Sequence, residues 1–181
     1  MSGVIINTMI TLFDGSTKPI QTLQSGEWVL AGEIDHHQVI RVDRWAIDIN
    51  QLTDWIVIEP NALGPRQPNQ RLIMTSNHCL WVNGIKHLAR EMVAWPGVQL
   101  EHVSLRTLSQ KYETPIEPNN SIRCRPILYE LHLTDDGQCV TTRYVANGIV
   151  LQSYPDIGDQ IQLSAAAGTS ILQGFGGFAP P

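Results

Sequence analysis

The sequence predicts an all-β domain, rich in hairpins and carrying one short helix. Three observations support this. Trp45, Ile47 and Ile49 alternate with polar or small neighbours, and Ile127, Tyr129, Leu131 and Leu133 repeat the spacing, the period of a strand with one face buried. Four pairs, Asp14-Gly15, Asn83-Gly84, Asp136-Gly137 and Asn147-Gly148, separate such runs with residues that tolerate the positive φ of tight hairpins. Ile85, Leu88, Ala89, Met92 and Val93 break the pattern at helical spacing before Trp95-Pro96-Gly97, which predicts a short amphipathic helix there.

With 181 residues, 43% of them apolar and 16% charged, the chain can bury one core. No internal repeat divides it. The stretches Pro60 to Pro68 and Pro115 to Pro126 read as long surface loops. From Pro155 onward, AAAGTS and GFGGFAPP are too rich in Ala, Gly and Pro for a strand, so the expected organisation is a domain over 1–154 and a loosely packed tail over 155–181.

A net charge of −5 with scattered Lys and Arg argues against nucleic-acid partners. No apolar run approaches a membrane span, and MSGVIINTMITLF lacks the basic start and small-residue cleavage site of a signal peptide, so a soluble monomer without a membrane partner is expected. Cys79, Cys124 and Cys139 form no CxxC pair and leave one thiol over, which argues against a disulfide scaffold. His36-His37 would face opposite ways on a strand and has no third ligand at useful spacing, so the pair reads as a solvated turn. Neither a metal nor a cofactor is expected.

Three separated segments carry a more specific signal. The first is Asn7-Thr8-Met9-Ile10-Thr11-Leu12-Phe13-Asp14-Gly15, followed by Lys18 to Ser25 and Gly26-Glu27-Trp28-Val29-Leu30. The second is Leu72-Ile73-Met74-Thr75-Ser76-Asn77-His78-Cys79-Leu80-Trp81-Val82, containing Thr-x-x-His. The third is Leu128-Tyr129-Glu130-Leu131-His132-Leu133 leading to Tyr144-Val145-Ala146-Asn147-Gly148-Ile149-Val150. In this order and spacing the segments, with Asn61 to Pro65 and Lys86 to Arg90 between them, resemble the motif blocks of the Hint (hedgehog/intein) superfamily, its bacterial intein-like branch in particular. The resemblance spans about residues 3 to 154.

The resemblance implies a Hint fold and single-turnover autoprocessing of the chain's own upstream polypeptide. A Cys or Ser at the opening position attacks the carbonyl just before it, turning an amide into a thioester or ester. His78 would give a proton to the leaving nitrogen, and the Thr75 hydroxyl would hold or polarise the scissile bond. Glu130 stands where the superfamily often has Asp. Asn7 and Glu27 replace the usual Gly and Asp, and two further departures bear on the chemistry. The nucleophile column falls on Gly3, with Ser2 one residue early, so that Gly3→Cys would restore the missing role; and the chain has Gln152-Ser153 where inteins close with His-Asn, which argues against full splicing.

Plainer readings stand beside these. His78 and Thr75 could be ordinary strand residues; Cys79 should point away from His78 into the core; Glu130 and His132 could be a surface pair. The domain could be a Hint fold that has lost catalysis and survives as a binding or structural module, or an unrelated all-β carbohydrate- or protein-binding domain. If the Hint reading holds, Val150 to Ser153 should run beside residues 3 to 8, and Thr75 and His78 should reach residues 2 to 4.

Overall fold

The computed structural model describes residues 2–32, 35–116, 127–134 and 142–153. Strands dominate. Strand β1 is Met9–Thr11, β2 Thr17–Pro19, β3 Trp28–Leu30, β4 His36–Ala46, β5 Leu52–Ile58 and β6 Leu72–Thr75. There follow β7 Cys79–Val82, β8 Ile85–Leu88, β9 Val98–Ser104, helix α1 Leu105–Tyr112, β10 Ile127–Leu133, β11 Arg143–Ala146 and β12 Ile149–Gln152. The tail expected over 155–181 and the pair Asp136-Gly137 lie outside the described residues.

One sheet has the order β2-β1-β11-β12-β7-β8, and two three-stranded sheets have the orders β10-β4-β3 and β6-β5-β9. Val4 joins the last two. It bridges Met74 of β6 on one side and Tyr129 of β10 on the other, which makes the two small sheets continuous through a single residue of the N-terminal segment. Leu12 bridges Val29, tying the first hairpin to β3.

Alternation sorts the side chains into two cores. Val4, Ile56, Ile58, Met74, Leu80, Tyr129, Tyr144 and Leu151 pack together in the larger one. Trp55, Val57, Ile73, Leu128 and Ile5 form the other with Leu105 and Leu108 of α1. Strand β5 is therefore covered on both faces, and its last four residues, Trp55 to Ile58, are fully buried.

The helix expected around Ile85 to Val93 is corrected: that segment is β8 followed by a 3-10 turn over Ala89–Met92. Asn83 and Gly84 both take positive φ, 52° and 77°, and this two-residue turn folds β8 back on β7 with Val82 opposite Ile85. The turn geometry overrides the helical spacing, and Ile85 and Val93 are exposed while Ala89 and Met92 are buried. Among the described residues the one α-helix lies at Leu105–Tyr112, where Ser104 caps it by accepting from the Thr107 N–H and Glu113 ends it at φ 53°. His36 and His37 are likewise not a turn but the start of β4, with His36 stacked against Phe13 and Trp28. Cys79 is half-buried rather than a core residue.

The closing hairpin reaches the first strand differently from expectation. Strand β11, not the Val150 to Ser153 segment, pairs with β1, through Ile10 and Ala146, while β12 lies between β11 and β7. Asn147 fastens this junction. Its N–H donates to Met9 O, its Oδ1 accepts from Met9 N at 2.8 Å and Gln70 Nε2 at 2.9 Å, and its Nδ2 donates to Arg71 O at 3.0 Å. The residue is 4% exposed, so few of these groups could be satisfied by water instead. Asn147→Ala should therefore lower unfolding free energy by about 2–4 kcal/mol, read as a shift of the urea midpoint; a midpoint unchanged from the parent would contradict the role assigned to this side chain.

Candidate active site

The site forms where the N-terminal segment passes the β6–β7 turn. Strand β6 ends at Thr75 and β7 begins at Cys79, and the His78 N–H donates to Thr75 O at 3.1 Å across the two intervening residues. A turn of this length brings the side chains of its first and fourth residues to one place, which is the physical content of the Thr-x-x-His spacing. The turn is held by its surroundings: Ser76 N donates to Asp54 O, Ala89 N to His78 O and Arg90 N to Ser76 O.

The backbone of residues 3 to 5 is clamped from both sides. Val4 N donates to Tyr129 O at 3.0 Å and Tyr129 N to Val4 O at 2.9 Å; on the other edge Thr75 N donates to Gly3 O at 3.0 Å and Ile5 N to Ile73 O at 3.3 Å. Gly3 N donates to Thr75 Oγ1 at 3.1 Å, so Thr75 holds both polar groups of that residue. With Gly3 clamped, the Ser2 Oγ lies 2.6 Å from His78 Nδ1. Thr75 is 4% exposed and His78 3%.

Glu130 closes the other side. It is 3% exposed, so the surface pairing considered for Glu130 and His132 is corrected: both are buried. Glu130 Oε2 accepts from Trp45 Nε1 at 3.0 Å, and Oε1 has no partner. Burial pushes its pKa up to about 7, against the opposing pull of the Trp45 N–H and the Ser2 hydroxyl beside it. Tyr144, fully buried on β11, has its hydroxyl pKa raised by burial and by the nearby charge of Glu130. The resemblance supplied no role for Trp45 or Tyr144; the only sequence signal was a polar tip at positions otherwise patterned as core.

His78 is shifted the other way. Burial lowers its pKa to about 4, and its Nε2 is buried without a partner. The imidazole is therefore neutral at neutral pH.

The structure thus brings Ser2, Gly3, Thr75, His78 and Glu130 into one pocket, but assigns Gly3 a different place from the one expected. A Cβ built on Gly3 would lie 3.1 Å from Tyr129 O and 3.2 Å from Leu128 Cβ, and the backbone φ of +156° is one L side chains rarely adopt. A side chain at position 3 would be strained and tightly placed against β10, which weighs against the expectation that Gly3→Cys would supply a nucleophile. Among the described residues no group of His, Cys, Asp or Glu side chains could hold a metal ion.

No family model matches the chain, and no curated protein does. Solved structures to which it is similar include a DnaB intein from Synechocystis sp. PCC 6803, at 13% identity and TM-score 0.48 over 85% of this chain and 99% of that one. A bacterial intein-like domain from Clostridium thermocellum stands at 14% identity and TM-score 0.49, with the same shares covered. The gp41-1 intein is similar at 10% identity and TM-score 0.48 over 83% and 98%.

Two outcomes follow from the geometry. Gly3→Ala should cost about 1–3 kcal/mol in a denaturant titration, because the β10 backbone must give way; an unchanged midpoint would show that position 3 has room. For His78, the unfolded chain takes up a proton near pH 6.5 while the folded one resists to about 4. Its neutral burial therefore costs stability progressively as pH falls from 6.5 to 4. His78→Gln should lose less stability than the parent over that interval, and parallel curves for the two would remove the buried neutral imidazole from the account.

Proposed function

We propose that the chain is a single-turnover autoprocessing domain of the Hint type, which breaks the peptide bond preceding Ser2 by an N-to-O acyl shift. The observation that carries this reading is the 2.6 Å approach of Ser2 Oγ to the buried, neutral His78, on a backbone that Thr75 holds at the next residue. Ser2, one residue before the column first assigned, is the nucleophile.

The proton inventory reverses the roles suggested by sequence. Two titratable groups flank one hydroxyl, and their environments push them apart: His78 stays unprotonated and Glu130 retains a proton up to about pH 7. Such a separation marks His78 as the base and Glu130 as the acid. With a proton on Nε2, the Nδ1 lone pair of His78 takes the Ser2 Oγ proton as Oγ bonds to the carbonyl carbon of residue 1. The C–N bond to Ser2 then breaks, Glu130 gives its proton to that nitrogen, and His78 returns one proton to Glu130. Net, a proton moves from oxygen to nitrogen and an amide becomes an ester. Water or another nucleophile then adds to the acyl carbon and Oγ leaves, releasing the upstream polypeptide. The reaction needs no cofactor. Gln152-Ser153 in place of a closing His-Asn pair favours cleavage over splicing.

The test is a fusion of a folded reporter ahead of Met1, followed by electrophoresis. Reporter should be released in a first-order process that Ser2→Ala abolishes. Ser2→Cys should form a thioester that dithiothreitol opens faster, and His78→Ala should slow release on the order of a hundredfold or more. With hydroxylamine saturating, so that the shift limits the rate, release should decline as pH rises through about 7, where Glu130 loses its proton. A folded fusion that stays intact for days would favour the non-catalytic binding module instead.

A further inference from the structure

One face of the β4–β10 ribbon carries a row of side chains that the proposed reaction uses only in part. Arg41, Asp43 and Trp45 occupy alternate positions on β4, and Glu130 and His132 on β10, with Glu130 directly opposite Asp43 and His132 opposite Arg41. Asp43 is the centre of the row. Arg41 Nε donates to its Oδ1 at 2.9 Å, and His132 Nε2 lies 2.8 Å from its Oδ2. Arg41 Nη2 lies 3.5 Å from both ring nitrogens of His132.

Two carboxylates facing each other across an antiparallel pair repel. The partners decide which of them keeps its charge. Asp43 has Arg41 and His132 and a quarter-exposed side chain, whereas Glu130 is buried with one indole N–H on one oxygen. A proton held between the two acids therefore belongs on Glu130. Among the described residues the Trp45 N–H and the Ser2 hydroxyl favour its ionised form, while burial and Asp43 favour the protonated one. Tyr144 faces it from β11, and His132 stands two residues along its own strand.

We propose that Arg41, Asp43 and His132 are positioning residues that fix a negative charge opposite Glu130 and thereby keep the proton on it. Their use in catalysis rests on the acyl-shift reading above; their effect on Glu130 does not. In this arrangement Asp43 acts against ionisation of Glu130, and Arg41 moderates Asp43, so removing one or the other moves Glu130 in opposite directions.

The experiment reads Glu130 through its partner. In protein labelled with ¹⁵N-tryptophan, the Trp45 indole N–H resonance, identified by its loss in Trp45→Phe, is followed between pH 5 and 9. It should titrate near pH 7, and Glu130→Gln should flatten it. Asp43→Asn should move the midpoint to lower pH and Arg41→Gln to higher pH, each by about threefold or more in the acid constant, the size of one neighbouring charge screened almost as in water. A merely structural role would disturb the resonance without this opposition of sign. Midpoints that stay put, or that move together, overturn the proposal, and if Asp43→Asn fails to fold the direction taken by Arg41→Gln decides alone. Opposed shifts in a domain that never cleaves its fusion would keep the positioning role and remove the acyl shift; cleavage with unmoved midpoints would do the reverse.

Discussion

The backbone clamp on Gly3 and Val4 is the constraint on which the rest depends. Val4 is completely buried, and its main chain completes the sheet between β6 and β10, so the N-terminal segment is an internal strand rather than a loose end. The segment is buried on both faces, with Val4 in the larger core and Ile5 in the other, so moving the register by one residue would exchange Val4 for Gly3 or Ile5 in the larger core. The position of Ser2 is thus inherited from the hydrophobic pattern of the fold. Gly3 serves the same end, since its positive φ is one that L side chains rarely adopt and a Cβ there would press on Tyr129 O and Leu128.

Given that clamp, the electrostatics follow from burial. A single pocket lowers the basicity of an imidazole and raises that of a carboxylate because the same dry surroundings disfavour both charges. The fold gives up stability for this, as neither His78 nor Glu130 carries a full set of hydrogen bonds. What it gains is a hydroxyl set beside a neutral imidazole and a buried carboxyl group, the pair that the proposed acyl shift uses as base and acid. That combination is poorly explained by packing alone and well explained by proton transfer.

Much of the fold was legible because strand periodicity and tight-turn residues act locally. The hairpin at Asn83-Gly84 could be read directly, yet the helical spacing of Ile85 to Val93 misled, since five apolar residues fit a strand followed by a 3-10 turn as well as they fit a helix. Helix α1 was missed because Leu105, Leu108 and Tyr112 are too few to register as a period, and the cap at Ser104 shows only with the structure in view. For the site, Thr75 and His78 were readable from their spacing, which a turn imposes. The place of Ser2 was not, because the resemblance puts the nucleophile column on Gly3, and the approach of Ser2 Oγ to His78 depends on a contact between residues 76 positions apart. The Asp43, Arg41 and His132 row depends on pairing between β4 and β10, eighty-odd positions apart in sequence, and no local pattern announces it.

The central claim is that Ser2 Oγ becomes acylated by the residue before it. The most direct measurement is the intact mass of the polypeptide released from an upstream fusion in hydroxylamine. An ester at Ser2 would be opened by that reagent, leaving a hydroxamic acid at the new C-terminus of the released piece and a free amine on Ser2 of the domain. The account predicts the hydroxamate mass in the parent and no release in Ser2→Ala. A released piece ending in an ordinary carboxylate, formed at the same rate with or without hydroxylamine, would contradict it.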